Sequence, residues 1–203
     1  SLDWNGDETP EILVGGRRGL AVYDERGLVA EITELGSPTL VAAHEDLDGD
    51  GLPDLLLADN GPKVLAGSRV LWHRGATDAF RSTPLVGDFD GDGAAEVIVF
   101  AAIEGEFGLH ALDARTGALR GTAPGSDPRN IRAPLAWSVG TEAHFVFMSG
   151  DHGLVRSGLG ATAPHSWTPV SFGYATPLRV NLDGRPGDEV LVAGWDPGSL
   201  SAY

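Results

Sequence analysis

Residues 88–96 read Asp88-Phe89-Asp90-Gly91-Asp92-Gly93-Ala94-Ala95-Glu96, and Val97-Ile98-Val99 follows directly. An acidic, glycine-punctuated turn that runs into an unalternated apolar triplet is a loop feeding a strand covered on both faces. The phrase recurs. Asp46-Leu-Asp-Gly-Asp-Gly-Leu-Pro-Asp54 precedes Leu55-Leu-Leu57, and Asp3-Trp-Asn-Gly-Asp-Glu-Thr-Pro-Glu11 precedes Ile12-Leu-Val14. Asn181-Leu-Asp-Gly-Arg-Pro-Gly-Asp-Glu189 precedes Val190-Leu-Val192. An eroded copy, Ser138-Val-Gly-Thr-Glu142 followed by Phe145-Val-Phe-Met148, fills the long interval before the last one.

Two further landmarks keep step with the loops. Thr83-Pro84-Leu85, Ala133-Pro134-Leu135 and Thr176-Pro177-Leu178 lead in, with Ser37-Pro38 a few residues earlier in its repeat. Strand-then-turn segments follow: 19–27, 70–75 and 109–117, each ending on glycine. Every period of roughly 40–50 residues therefore holds about four short strands, the signature of a propeller blade. A helical solenoid fails, because no segment carries apolar residues at i, i+3, i+4, i+7 for three turns. The expected fold is all-β: a β-propeller of four-stranded blades, one domain over residues 1–203, with repeats starting near 3, 46, 88, 138 and 181. The chain opens at an acidic loop and stops after a third strand, so the first and last blades are expected to be incomplete. A larger ring, six- to eight-bladed, or a second chain would complete them, since an open blade edge invites foreign pairing.

Composition excludes several functions. Lys and Arg number 14 against 29 acids, a formal charge of −15, and Lys63 is the single lysine. Such a chain repels nucleic acid and anionic membrane surfaces. The longest apolar run, Val97 to Ile103, is far short of the roughly 20 residues that span a bilayer, and no signal-peptide pattern opens the sequence. Cysteine is absent, which removes disulfides, thiolate metal sites and cysteine nucleophiles. No His-Glu-x-x-His, Gly-x-Ser-x-Gly or phosphate loop occurs, and the six histidines are scattered, so no catalysis is expected of this chain.

The acidic loops carry the chemistry. Loop positions 1, 3, 5 and 9 are Asp46, Asp48, Asp50 and Asp54 in the second repeat and Asp88, Asp90, Asp92 and Glu96 in the third. Carboxylates at this density repel unless a cation sits among them, and oxygen-only ligands on a flexible loop suit Ca²⁺. Gly51 and Gly93 at position 6 allow the left-handed turn that folds position 9 back, and the position-7 carbonyl, of Leu52 or Ala94, is the expected backbone ligand. An EF-hand needs an acid at position 12, where Val14, Leu57 and Val99 stand. The first loop keeps Asp3, Asn5, Asp7 and Glu11 but has Glu8 at position 6, so a weaker third calcium site is expected there. In the fifth loop Arg185 takes position 5, and its guanidinium is expected to replace the ion beside Asp183 and Glu189 or Asp188.

These loops, with their Pro-Leu lead-in and Val-Ile-Val-like strand, resemble the FG-GAP repeats of integrin α-subunit propellers and the bacterial VCBS repeats. Phe172-Gly173 before Ala175-Thr176-Pro177 approximates the lettering of that family. The segment 111–117, Ala-Leu-Asp-Ala-Arg-Thr-Gly, also resembles quinoprotein propeller repeats, with Arg120 near where those carry tryptophan. The FG-GAP resemblance implies calcium loops on one face of the blades and second-to-third-strand connections on the other. There Arg17, Arg18, Lys63, His152 and Trp195 are candidates for partner contact. It implies an extracellular, periplasmic or cell-surface module that binds a protein or carbohydrate, or alternatively the propeller portion of a secreted enzyme such as a polysaccharide lyase.

Overall fold

The apolar triplets become second strands, and the glycine turns after them fold the chain back into meanders. The computed structural model describes residues 2–16, 19–33, 35, 40–59, 61–75, 84–124, 135–139, 142–149, 153–158, 165–168, 178–182, 189–193 and 200–202. Among these, the regular structure is all strand, in five antiparallel sheets. The first is β1 (Ile12–Gly16), β2 (Gly19–Asp24) and β3 (Gly27–Ile32). The second is β4 (Leu40–Glu45), β5 (Asp54–Asp59), β6 (Gly61–Ala66) and β7 (Arg69–His73). The third is β8 (Leu85–Gly87), β9 (Glu96–Ile103), β10 (Glu106–Asp113) and β11 (Leu119–Pro124). The fourth is β12 (Leu135–Val139), β13 (Glu142–Ser149), β14 (Gly153–Gly158) and β15 (His165–Thr168). The fifth is β16 (Leu178–Val180), β17 (Glu189–Ala193) and β18 (Leu200–Ala202). Among the described residues no helix is long and apolar enough to cross a membrane.

Period-2 geometry explains why the triplets do not alternate. Leu55 and Leu57 point to one face of their sheet and meet Trp4, Leu20, Val22, Ile32 and Leu35 of the first repeat. Leu56 points to the other and meets Val97, Val99, Ala101 and Ile103. One sheet on, Ile98 and Phe100 turn away from that cluster and pack with Leu109, Ala111 and Phe145. The second sheet thus packs between the first and the third, and the described residues of the middle strands β5, β6, β9 and β10 are mostly buried on both sides.

Turn chemistry fits the sequence. The β9–β10 connection is the two-residue turn Glu104-Gly105, with φ of 55° and 86°. Both signs are those of a type I′ hairpin turn, which matches strand twist. Between the second and third sheets, the Trp72 indole N–H donates to the Ala114 carbonyl at 2.7 Å and Arg74 Nε donates to the Gly117 carbonyl at 2.8 Å. The indole lies so close over Gly117 that a Cβ there would stand 2.7 Å from it. Residues 111–117, legible in the sequence only as a strand and a turn, are thereby one half of an inter-sheet clasp.

Candidate metal centre

Meander topology puts every first-to-second-strand loop at the same end as the third-to-fourth-strand turns. The acidic loops occupy that end. Each is wound by its own side chains: the position-1 carboxylate of Asp46 accepts from the amides of Gly49 (2.6 Å), Asp50 (3.1 Å) and Gly51 (2.9 Å). Asp88 accepts from Gly91 (2.7 Å) and Gly93 (3.0 Å), and Asp3 from Gly6, Asp7 and Glu8 at 2.8–3.1 Å. Position 3 caps position 5, and position 5 caps position 7: Leu52 donates to Asp50 Oδ1 and Ala94 to Asp92 Oδ1, each at 2.8 Å. Position 6 is left-handed as expected, at φ 87° for Gly51 and 88° for Gly93, and Glu8 adopts 66°. Glutamate in that region is uncommon, so the first loop stores strain that its glycine counterparts avoid.

Carboxylate atoms converge in three places, each set within 4.8 Å: Asp3, Asp7 and Glu11; Asp46, Asp48 and Asp50; Asp88, Asp90 and Glu96. Position 9 separates them. Glu11 is 5% exposed; its Oε2 accepts from the Trp4 amide at 2.7 Å while Oε1 is buried with no hydrogen-bond partner. Glu96 is 1% exposed and repeats the arrangement, with Oε2 taking the Phe89 amide at 2.9 Å and Oε1 buried and unpartnered. An orphaned buried carboxylate oxygen costs a desolvation penalty of about 1–3 kcal/mol or more, which a bound cation would remove. Asp54, also 1% exposed, differs: one oxygen accepts from both the Leu47 and Asp48 amides, at 2.8 and 3.0 Å, and the residue stands outside its loop's converging set. Burial, then the neighbouring carboxylates, push the Asp54 and Glu96 carboxyls above the usual range despite those amides. The donor set is all-oxygen and anionic, which fits a hard cation, and the Glu11 and Glu96 sites fit it best.

A cleft of about 420 Å³ opens between the second and third loops, lined among others by Asp46, Asp48, Gly93, Asp113, Arg115 and Thr116. Although burial opposes it, the Arg120 guanidinium together with the Thr116 hydroxyl and amide holds Asp113 at about 2. Arg69 approaches Asp48 at 3.5 Å from an exposed position.

One candidate for partner contact changes place. Lys63 belongs to strand β6 rather than to a surface loop, is 6% exposed, and its Nζ donates to the Leu35 carbonyl at 2.9 Å. Its register opposite Leu57 turns it toward the first repeat, so it ties the second sheet to the segment that follows β3 and is not presented to a partner. Arg17, Arg18, His152, Arg185 and Trp195 lie outside the described residues, as do Asp183 and Asp188.

No protein-family model matches the chain, and no curated protein matches it. Among solved structures, BBS1N in complex with ARL6DN, from a lead-soaked crystal, is similar over 99% of this chain and 75% of its own, at 12% identity and a TM-score of 0.54. The mercury-soaked form of that complex gives 99%, 77%, 12% and 0.53. The V. cholerae biofilm matrix protein Bap1 aligns over 94% of this chain and 33% of its own, at 18% identity and a TM-score of 0.49. At these identities the BBS1N likeness shows the fold alone: an all-β, β-propeller-like stack of three- and four-stranded sheets.

Proposed function

We propose that this chain is a calcium-stabilised β-propeller segment of the FG-GAP or VCBS kind, acting outside the cytosol as a binding or adhesion module for a protein or carbohydrate and catalysing nothing itself. The blades are four-stranded units of a larger ring. The observation that carries the calcium reading is the pair of buried, unpartnered Oε1 atoms on Glu11 and Glu96, each in a residue that joins two loop aspartates, at the same register in two repeats. Calcium supplies positive charge there, and this chain's residues wind and hold the loop around it. Extracellular modules can use calcium at ~10⁻⁴–10⁻³ M, where cytosolic levels would leave such loops empty. A rigid stack with ion-clamped loops suits recognition, because loops fixed on a scaffold present side chains at low entropic cost. The test is a glycan array and an extracellular-protein array, probed with the labelled chain in calcium and in chelator. Saturable binding that chelation abolishes supports the reading; turnover of a bound polysaccharide, or no binding in either condition, contradicts it.

A further inference from the structure

The second residue of each of the three acidic loops is held at two ends by different groups. Its backbone N–H donates to the ninth residue of its own loop: Trp4 to Glu11 Oε2 at 2.7 Å, Leu47 to Asp54 Oδ2 at 2.8 Å and Phe89 to Glu96 Oε2 at 2.9 Å. Its side chain leaves the loop and enters the contact with the next sheet. Trp4 is 5% exposed and packs with Leu55, Leu57 and Leu65 of the second sheet. Leu47 packs against the cluster that joins Leu56 of its own sheet to Val97, Val99 and Leu112 of the third. Phe89 meets Phe145 of the fourth sheet edge-on, with ring centroids 5.7 Å apart and planes at 65°. Three different apolar side chains take the same course from the same loop position, although an aspartate precedes each of them.

The third loop shows what this contact fixes. The Phe89 ring is held from two sheets: Phe145 lies against it from the fourth, and a Cβ on Gly87 of β8 would stand 3.3 Å from its tip. A packed aromatic ring in a staggered rotamer leaves its own backbone little freedom. The amide so fixed holds Glu96 Oε2, and the same carboxylate converges with Asp88 and Asp90 and has its Oε1 buried without a hydrogen-bond partner. With one oxygen anchored, the direction of the other follows from a contact made with a different sheet.

We infer that Phe89 is a positioning residue for the third-loop cation, and Trp4 for the first: the following sheet, through the side chain at loop position 2 and its amide, turns the ninth-residue carboxylate toward the ion. Groups that orient a metal ligand without touching the metal commonly change its affinity by about 10–100-fold. By linkage the ion in turn tightens the contact between the loop's own sheet and the next. This role rests on the calcium reading above and adds to it a source of affinity outside the acids, in the sheet that follows. Asp54 clasps Leu47 without joining its loop's carboxylate set, so the second loop has the clasp without the orienting role.

Calcium titration of the isotope-labelled chain, followed by NMR at the glycine amides, resolves the loops: Gly6 reports the first, and Gly91 and Gly93 the third. Phe145→Leu removes the aromatic pair from outside the loop, and Phe89→Leu removes it by installing the side chain that Leu47 supplies in the second loop. Both variants keep an apolar residue in place and are expected to stay folded by circular dichroism. Each is expected to weaken calcium binding at Gly91 and Gly93 by about tenfold and to leave the midpoint at Gly6 unchanged. A wild-type midpoint at Gly91 and Gly93 in either variant would overturn the positioning role and leave the calcium reading standing. Equal weakening at Gly6 would overturn it too, as a general loosening of the fold. Glycine amides that do not respond to calcium in the wild type would overturn both.

Discussion

The second and third acidic loops have nearly the same letters and differ in what their ninth residue does. Glu96 reaches into the carboxylate group with Asp88 and Asp90 while its other oxygen holds the Phe89 amide. Asp54 is one methylene shorter, spends one oxygen on two amides and stays out of the group formed by Asp46, Asp48 and Asp50. The first loop sides with the third through Glu11. In the proposed calcium sites the extra CH₂ of Glu96 lets a buried acid join the loop aspartates as well as clasp the loop, and the loop with four aspartates is the less closed of the two.

Deleting the two side chains should break this contrast open. Glu96→Ala strands the part-buried Phe89 amide, which costs about 1–3 kcal/mol, and also removes a proposed ligand. In calcium at about 100 times the dissociation constant the lost linkage adds up to ~2.7 kcal/mol. Its destabilisation, read by urea unfolding, is therefore expected to be clearly larger in calcium than in chelator. Asp54→Ala strands two amides for a cost again of about 1–3 kcal/mol, with little difference between the two conditions. Equal calcium dependence for both variants would erase the distinction.

Exchanging the residues sharpens it. Asp54→Glu is expected to tighten the second loop and Glu96→Asp to loosen the third, each by roughly tenfold, or ~1.4 kcal/mol, in calorimetric titrations with Ca²⁺. Opposite signs, or no change, would show that reach at position 9 is not the determinant.

Acid titration gives the smallest effect. Burial raises both carboxyls in the fold, so without metal they favour the protonated, folded state. Their contribution is fully present below the unfolded carboxylate values, near about 4, and is lost as pH rises through the folded ones. Asp113, held at about 2 by Arg120, works the other way: its contribution is present above the unfolded value and fades as pH falls toward its folded one. In chelator the wild type should lose more melting temperature between about pH 4 and about pH 7 than Asp54→Asn/Glu96→Gln does. Parallel profiles would refute the assignment.

Much of this was legible because it is local. A repeat that returns to the same loop, the same apolar triplet and the same glycine turn specifies strands, meanders and left-handed positions without knowledge of distant contacts. Gly51, Gly93 and the β9–β10 turn follow from that logic, and Gly49 and Gly91, also left-handed, could have been added to it. Long-range features were not legible. The FG-GAP resemblance puts Lys63 on a second-to-third-strand connection, whereas Gly61 and Pro62 already lie in β6, which carries the lysine inward. The Trp72–Gly117 clasp joins residues that only the stacking of sheets brings together. The unequal reach of Asp54 and Glu96 depends on where the loop lies over its own strand, and acid content alone does not reveal it.

The central claim, that the fold is held by calcium at these loops, is tested most directly by thermal unfolding in calcium, in magnesium and in chelator at one pH. Two sites saturated at about 100 times their dissociation constants contribute ~5 kcal/mol, and each kcal/mol moves a domain of this size by roughly 2–4 °C. A melting temperature on the order of 10–20 °C higher in calcium than in chelator is therefore predicted, with magnesium falling between. Superimposable melting curves in calcium and chelator would contradict the account.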